Sequence, residues 1–479
     1  MWTRPFTISR SYLLPFLATC LFVIQLGLSL SDLPSIKLMQ NIVCKHVHKI
    51  HGTAMLPEED CRDGPVQHKL NIIVMGIQVS ATISGTMPFN MILFCVTIET
   101  ILKTNSFAAA TVAFPLGVLA DRIGRIPVLG ASIFSMLLSQ AYAMFICWKS
   151  DSIPLEAIWG LGVPLLLGGG RSVAEAMVFA IIADVVPDDK RVIDRVIRST
   201  WFQWVVASVF AAQLVGPVLS GELVQPSIWM PLFLSLGLIL GGGLILVAFT
   251  PETLKRRQPQ QEPSIEPYAY GLESDIFNFE SPKTTSAMST LKSMFTRPLL
   301  WLLPSAVMAI PLATIQTDIV IRLMPIQFNW RLDRSILIIS LRSLVTLLTL
   351  CILLPIISCI WTKLALAGSS AHHRNSILAR ASSLLLLAGS LCMMMVTDKA
   401  FIIAGLAVSA LGSGLPMLCR AMLVGVTGEE QAGVLFGMLA VWEILGFLAC
   451  EMGMGALFGI GSGDNPDDVA SAIEAASCW

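Results

Sequence analysis

Residues 228–249 read IWMPLFLSLGLILGGGLILVAF, an apolar run without a single charged side chain. A helix needs about 20 mainly apolar residues to cross a bilayer, and this run is long enough. Comparable stretches lie at 11–30, 71–120, 127–148, 157–183 and 199–221, and, after a long polar interval, at 298–322, 335–360, 380–397, 400–425 and 433–459. Of the 479 residues, 55% are hydrophobic and 13% are charged, where a soluble domain carries ~25% charged. Much of the polar surface that a water-soluble protein of this size needs is missing, so lipid is the solvent. The fold class is an all-α membrane protein.

The run from Ser11 to Leu30 follows Arg4 and Arg10 and resembles a signal peptide in charge pattern. It is longer than the usual apolar core of one, roughly 7–15 residues, and no convincing small-x-small site follows, so it reads as the first span. Region 71–120 divides into 71–87, 88–103 and 107–120, each too short for a full crossing. Two crossings would place the later basic clusters outside, against the positive-inside rule. One crossing with an irregular insert at 88–106 gives about 11 transmembrane helices. Glu99 and Lys103 make that insert an awkward neighbour for lipid. It is either a re-entrant or bulged segment, or an error in the gene reading such as a retained intron.

On this count residues 1–10 are a cytoplasmic tail, and the basic loops 121–126, 184–198, 250–297 and 361–379 face the cytoplasm. Residues 251–297, rich in Pro, Gln, Glu, Ser and Thr, form a linker that cannot bury a core. It divides an N-terminal six-helix bundle, 11–250 with an outer loop at 31–70, from a C-terminal five-helix bundle at 298–459. The tail 460–479 has no apolar run and falls outside by parity, as though a twelfth helix were missing. Two helical bundles joined by a cytoplasmic linker is the layout of many secondary transporters.

Several function classes are disfavoured. The net charge of −1 offers no bulk attraction for nucleic acid. There is no CxxC pair with zinc spacing, no HExxH, no P-loop and no GxGxxG after a strand, so neither metal, cofactor nor ATP drive is expected. No nucleophile–base pair suggests an enzyme. Most of the eleven cysteines, Cys20, Cys351, Cys359, Cys392 and Cys450 among them, lie in apolar runs as small hydrophobes. Cys44 and Cys61 instead fall in the outer loop, where disulfides persist. A bridge there would contribute about 3 kcal/mol. Within the same loop Leu33 to Val47 has the makings of a short helix lying on the membrane surface.

The sharpest motif is Gly117-Val-Leu119-Ala-Asp121-Arg122-Ile-Gly124-Arg125, between the second and third spans. It resembles the signature loop of the major facilitator superfamily, G-x-L-x-D-R-x-G-R/K, whose bundles form a two-bundle fold. Glycines permit a tight turn and close helix approach, and an acid at a helix end can pair with bases or a neighbouring helix N-terminus. The resemblance implies a latch that holds the inner gate shut. Pro251-Glu252-Thr253-Leu254 resembles the ending of the sixth span in sugar and drug transporters of that superfamily. Leu214-Val-Gly216-Pro217-Val-Leu-Ser-Gly221 looks like a fragment of the G-P-x-x-G motif of exchangers and efflux members, although a packing kink alone also explains it. Leu167-Gly-Gly-Gly170 with Ala183-Asp184-Val-Val-Pro187 and Arg191 resembles the fourth span of fungal members related to folate-type carriers. The likeness covers roughly 11–459.

Charges within spans are costly and mark function by default. Arg171 and Glu175 share one helix face at i,i+4. They are either a self-neutralising structural pair, or a proton-binding carboxylate beside an arginine that holds an anion or tunes its partner. Glu443 is a second proton candidate, and Glu451 lies nearer the outer end. Asp318 and Arg322 repeat the spacing as a rim pair, whereas Arg342 and Arg420 either snorkel or line the cavity. Gln25, Gln78, Gln203 and Gln213 suit a pore or a helix contact, with Trp201 and Trp204 as stacking surfaces.

These observations predict alternating access about a central site, with protons, lipid and a small organic substrate as the partners of a monomer in the plasma membrane. Proton-coupled efflux of a secondary metabolite or drug is the leading expectation. Uptake of a folate-like or other organic anion, a non-transporting sensor and a non-functional truncated product are the alternatives.

Overall fold

The computed structural model describes residues 10–50, 55–86, 124–185, 192–252, 297–328, 330–363, 371–394, 398–416, 418–419, 422–423, 442–443 and 445–454. Among the described residues every regular element is a helix. The N-terminal half comprises α1 (Arg10–His48), α2 (Gly64–Thr86), α3 (Arg125–Trp148), α4 (Gly162–Leu166), α5 (Gly170–Val185), α6 (Val192–Leu223) and α7 (Trp229–Phe249), with short 3₁₀ turns at Glu58–Cys61 and Leu155–Leu161. The C-terminal half comprises α8 (Arg297–Phe328), α9 (Leu332–Ser335), α10 (Leu337–Leu348), a π turn at Thr349–Leu353, α11 (Leu354–Lys363), α12 (Ala371–Met394) and α13 (Lys399–Leu411). A further apolar helix, α14 (Leu445–Met454), follows. Seven described helices are long and apolar enough to cross a bilayer. The insert 88–106, the tail 460–479 and nearly all of the linker 251–297 lie outside the described residues.

The first span departs from expectation. It does not stop at Leu30, because α1 continues unbroken to His48, 39 residues in all. Ser31 and Asp32 interrupt the apolar run without interrupting the helix. Ser31 Oγ donates to the Leu28 carbonyl at 2.7 Å, and the apolar stripe resumes at Leu33, Leu38, Met39, Ile42 and Val43, all buried. At 1.5 Å per residue α1 is about 58 Å long, against a hydrocarbon core of about 30 Å, so it projects well beyond the membrane. The surface helix expected at 33–47 is therefore the C-terminal part of α1. The loop expected over 31–70 contracts to the short connection before α2 begins at Gly64.

The stretch 157–183 is likewise not one rod. It breaks between α4 and α5 at Gly169 (φ 75°) and Gly170 (φ 60°), left-handed conformations that favour glycine. At Gly168 an added Cβ would stand 2.2 Å from the Ala131 carbonyl oxygen, so α3 and the break are in backbone contact. Ser132 Oγ donates to the Gly168 carbonyl at 2.7 Å, which satisfies a group freed by the break. Irregular backbone within a membrane protein is tolerated only where such partners exist.

Elsewhere small residues bring helices together, as is common where lipid removes the hydrophobic drive for helix association. A Cβ on Gly216 of α6 would lie 2.6 Å from Ser29 Cβ of α1, and Ser220 Oγ donates to the Leu30 carbonyl at 2.9 Å. Gly389 of α12 and Gly405 of α13 face each other so closely that neither tolerates a Cβ. One apolar cluster joins the halves, packing Leu33 of α1 against Ile315, Ile319 and Met324 of α8 and Met454 of α14. Large apolar side chains such as Phe233, Leu244, Leu384 and Leu391 point outward, as lipid-facing residues should.

Candidate functional site

Three polar centres stand out, one at each end of the molecule and one between the halves. At the end expected to be cytoplasmic, Glu252 follows α7 and caps α3. Its carboxylate accepts from the Arg125 N–H at 2.9 Å and the Ile126 N–H at 3.3 Å. Two of the four unsatisfied N–H groups of that helix start are thereby paired, and the acid meets the positive end of the helix dipole. Gly124 (φ 120°) lies directly beneath this carboxylate, and a Cβ there would be 2.3 Å from its oxygen. Of the signature loop, Gly117, Leu119, Asp121 and Arg122 lie outside the described residues.

At the opposite end Cys44 and Cys61 form a disulfide (Cα–Cα 5.3 Å) that staples the C-terminal end of α1 to the 3₁₀ turn Glu58–Cys61. The Cys61 carbonyl accepts from Gln40 Nε2 at 3.1 Å and Gln67 Nε2 at 3.0 Å. So held, the turn fastens onto the other half. Glu58 Oε1 accepts the Leu332 N–H at 2.7 Å, Arg62 Nη2 donates to the Trp330 carbonyl at 3.1 Å, and Glu58 pairs with Arg62 at 3.4 Å. This end is closed. Glu58→Ala is expected to lower the thermal midpoint through the loss of its bonds to the Leu332 N–H and to Arg62, the shorter one worth about 1.5–3 kcal/mol of stability, read by unfolding in detergent. An unchanged midpoint would mean that the contact contributes no net stability.

The central site begins at the break before α5, which places Arg171 one residue beyond the α5 start. Arg171 Nε and Glu175 Oε1 are 2.9 Å apart, and their side chains are 54% and 57% accessible. Arg171 also acts on Asp32 of α1, which faces Asp318 of α8. The pair is accessible, and its arginine is linked electrostatically to a carboxylate on another helix, Asp32 of α1. Asp318 in turn interacts with Arg322 and with Arg342 of α10, and Glu451 of α14 interacts with both Asp318 and Arg322. Charges from both halves thus interact, Asp32 of α1 with Asp318 of α8.

Other expected residues are placed unevenly. Asp318 and Arg322 are not a self-contained rim pair. Arg322 Nη1 reaches across to Asn71 Oδ1 of α2 at 2.8 Å. Arg342 does not snorkel; its Nη1 donates to Thr317 Oγ1 at 2.6 Å. Gln213 Oε1 accepts from Ser343 Oγ at 3.5 Å, joining α6 to α10 across the halves. Gln25 is buried, Gln78 and Glu443 are half-buried, and Trp204 is exposed. The side chains of Trp201 and Gln203, and all of Arg420, lie outside the described residues. In the α6 motif Gly216 is packed tightly, whereas no described atom comes within 4 Å of a Cβ on Gly221. Asp32, Asn71, Glu58 and Arg62 had no assigned role in the sequence reading, because all fell in or beside the overlong outer loop. The apolar period that continues past Asp32 is the signal that could have placed the first of them.

Comparison with known proteins agrees with this architecture. The Major Facilitator Superfamily profile matches residues 72–450. The chain is 25% identical over 436 residues to the MFS efflux pump atnC of Emericella nidulans, covering 88% of this chain and 77% of that protein. It is 25% identical over 419 residues to the efflux pump ustT of Aspergillus flavus, covering 84% and 73%. Its backbone resembles that of the human organic anion transporter MFSD10, with a TM-score of 0.56 at 14% identity over 98% of each chain. With helices, glycine contacts and a profile that spans both halves all in accord, the chain belongs to the Major Facilitator Superfamily of membrane transporters.

Proposed function

We propose that the protein exports a small organic compound, a secondary metabolite or drug-like molecule, across the plasma membrane in exchange for protons. The observation that carries this reading is the run of charges Arg171, Glu175, Asp32, Asp318, Arg342 and Glu451, which belongs to both halves and adjoins a broken helix. Broken helices with charged groups at the interface of two repeats are where secondary transporters hold substrate and coupling ion. The efflux names of the two fungal relatives support the direction. In this reading the stapled turn at Glu58–Cys61 closes the outer face, while Glu252, Gly124 and the signature loop form the inner latch. Alternating access then requires the outer contacts of Glu58 and Arg62 with the other half to break.

The test is a deletion strain grown against a panel of toxins and nutrients, with intracellular accumulation measured for each hit. Hypersensitivity with raised accumulation is the expected result, whereas lowered uptake would establish import instead. With the compound so found, Glu175→Gln in proteoliposomes is expected to abolish flux driven by a pH gradient. Retained gradient dependence in that variant would remove Glu175 from proton handling.

A further inference from the structure

Arg322 Nη1 donates to Asn71 Oδ1 at 2.8 Å, a side-chain hydrogen bond between opposite halves. Asn71 is 2% exposed and Arg322 is half-buried. Opening the outer face separates α2 from α8 and must break this bond. Arg322 lies one helical turn from Asp318 on α8 and interacts with both Asp318 and Glu451, the latter 7% exposed. Two carboxylates of its own half therefore compete with one amide of the other half for the same cation.

We propose that Arg322 is the positioning residue that links protons to the outer gate: it bonds Asn71 when Asp318 or Glu451 carries a proton, and turns back to them when that proton leaves. The physical ground is charge balance in a poorly solvated interior, where an ionised carboxylate attracts a guanidinium far more strongly than an amide does. Protonation of either acid from the outer solution weakens its hold and lets Arg322 reach Asn71, which closes the outer face. Release of that proton to the inner solution restores the carboxylate, which draws Arg322 away from Asn71. The proton moves only between water and a carboxyl oxygen. Besides Arg322, Asp318 faces Arg342 of α10 and Asp32 of α1, and these set its background field. On α2, His68 lies three residues before Asn71 and is exposed.

The proposal rests on the proton-exchange reading above but is tested without flux. Spin labels carried by p-acetylphenylalanine at the exposed positions of Asp151 and Arg334 leave the native cysteines intact and report the outer opening. In lipid nanodiscs, the full chain carrying His68→Gln is expected to hold short distances at low pH and to gain long ones as pH rises. Asp318→Asn with Glu451→Gln should stay closed at every pH, Asn71→Leu should stay open, and Arg322→Gln should lose the pH response. Asn71→Asp, which strengthens the acceptor, should shift the equilibrium the opposite way from Asn71→Leu, so the prediction survives the misfolding of either one. An unaltered pH response in Arg322→Gln or in the double carboxylate variant overturns the proposal. If such a result accompanied proton-driven flux in the wild type, the exchange reading would stand and only the role of Arg322 would fall. A full set of expected shifts without proton-driven flux would do the reverse.

Discussion

Gly168→Ala is expected to abolish transport and to lower the thermal midpoint more than any other single alanine substitution at a described glycine. The new Cβ would lie 2.2 Å from the Ala131 carbonyl oxygen, 2.5 Å from its carbonyl carbon and 2.8 Å from Ser132 Cα. All three are backbone atoms of α3, so no side chain can swing aside. Moving α3 outward would stretch the 2.7 Å bond from Ser132 Oγ to the Gly168 carbonyl. That carbonyl belongs to the break in the chain, and an unpaired one within a membrane protein costs several kcal/mol. Overpacking alone adds about 1–3 kcal/mol. Function suffers further because Arg171 begins three residues later and depends on the break for its position. Gly237→Ala is the control, since no described atom lies within 4 Å of its Cβ. In the middle of α7 that substitution should be neutral or gain about 1 kcal/mol of helix propensity. Unfolding in detergent and flux in proteoliposomes read both effects. A wild-type midpoint for Gly168→Ala would mean that α3 and the break do not touch.

Where an apolar run is uniform, composition located the helix nearly to the residue: the stretch read as 228–249 is α7, Trp229–Phe249. Where a polar residue serves the interior of the protein, the same reasoning cut the helix short. The apolar run read as 11–30 stops just before Ser31 and Asp32, since a charge counts against an apolar run wherever it points. In the folded chain Asp32 faces other charges across the halves, and the helix passes through it. The glycine run at 168–170 resembles a family pattern, yet its physical meaning, a left-handed break at Gly169 and Gly170, needs the backbone angles. Contacts close in sequence were legible, as with Arg171 and Glu175 at i,i+4. Those between distant segments were not. Nothing in the local sequence joins Arg322 to Asn71, 251 positions earlier, or Glu252 to the start of α3, 127 positions earlier.

That last contact leads to the second large effect, expected for Gly124→Ala and measurable as a double-mutant cycle with Glu252→Ala. Two separate penalties fall on Gly124→Ala. Its φ of 120° is a conformation in which a side chain is strained by about 1–3 kcal/mol. In addition the Cβ would collide with the Glu252 carboxylate, 2.3 Å from one oxygen and 2.7 Å from its carbon. The carboxylate can escape by rotating, but only by giving up the N–H groups of Arg125 and Ile126, and loss of a cap costs about 0.5–2 kcal/mol. The exposure of Glu252 favours the lower part of that range. Glu252→Ala alone forfeits the cap, and in its presence Gly124→Ala retains the backbone strain but has no carboxylate to displace. The double variant should therefore unfold at a higher temperature than the sum of the single losses predicts. If this contact belongs to the inner latch, both single variants should also raise the inward-open population, seen as faster labelling of the inner cavity in inside-out vesicles. Strict additivity of the two midpoint shifts would show instead that Gly124 and Glu252 do not meet, and the latch would have to be sought elsewhere in the signature loop.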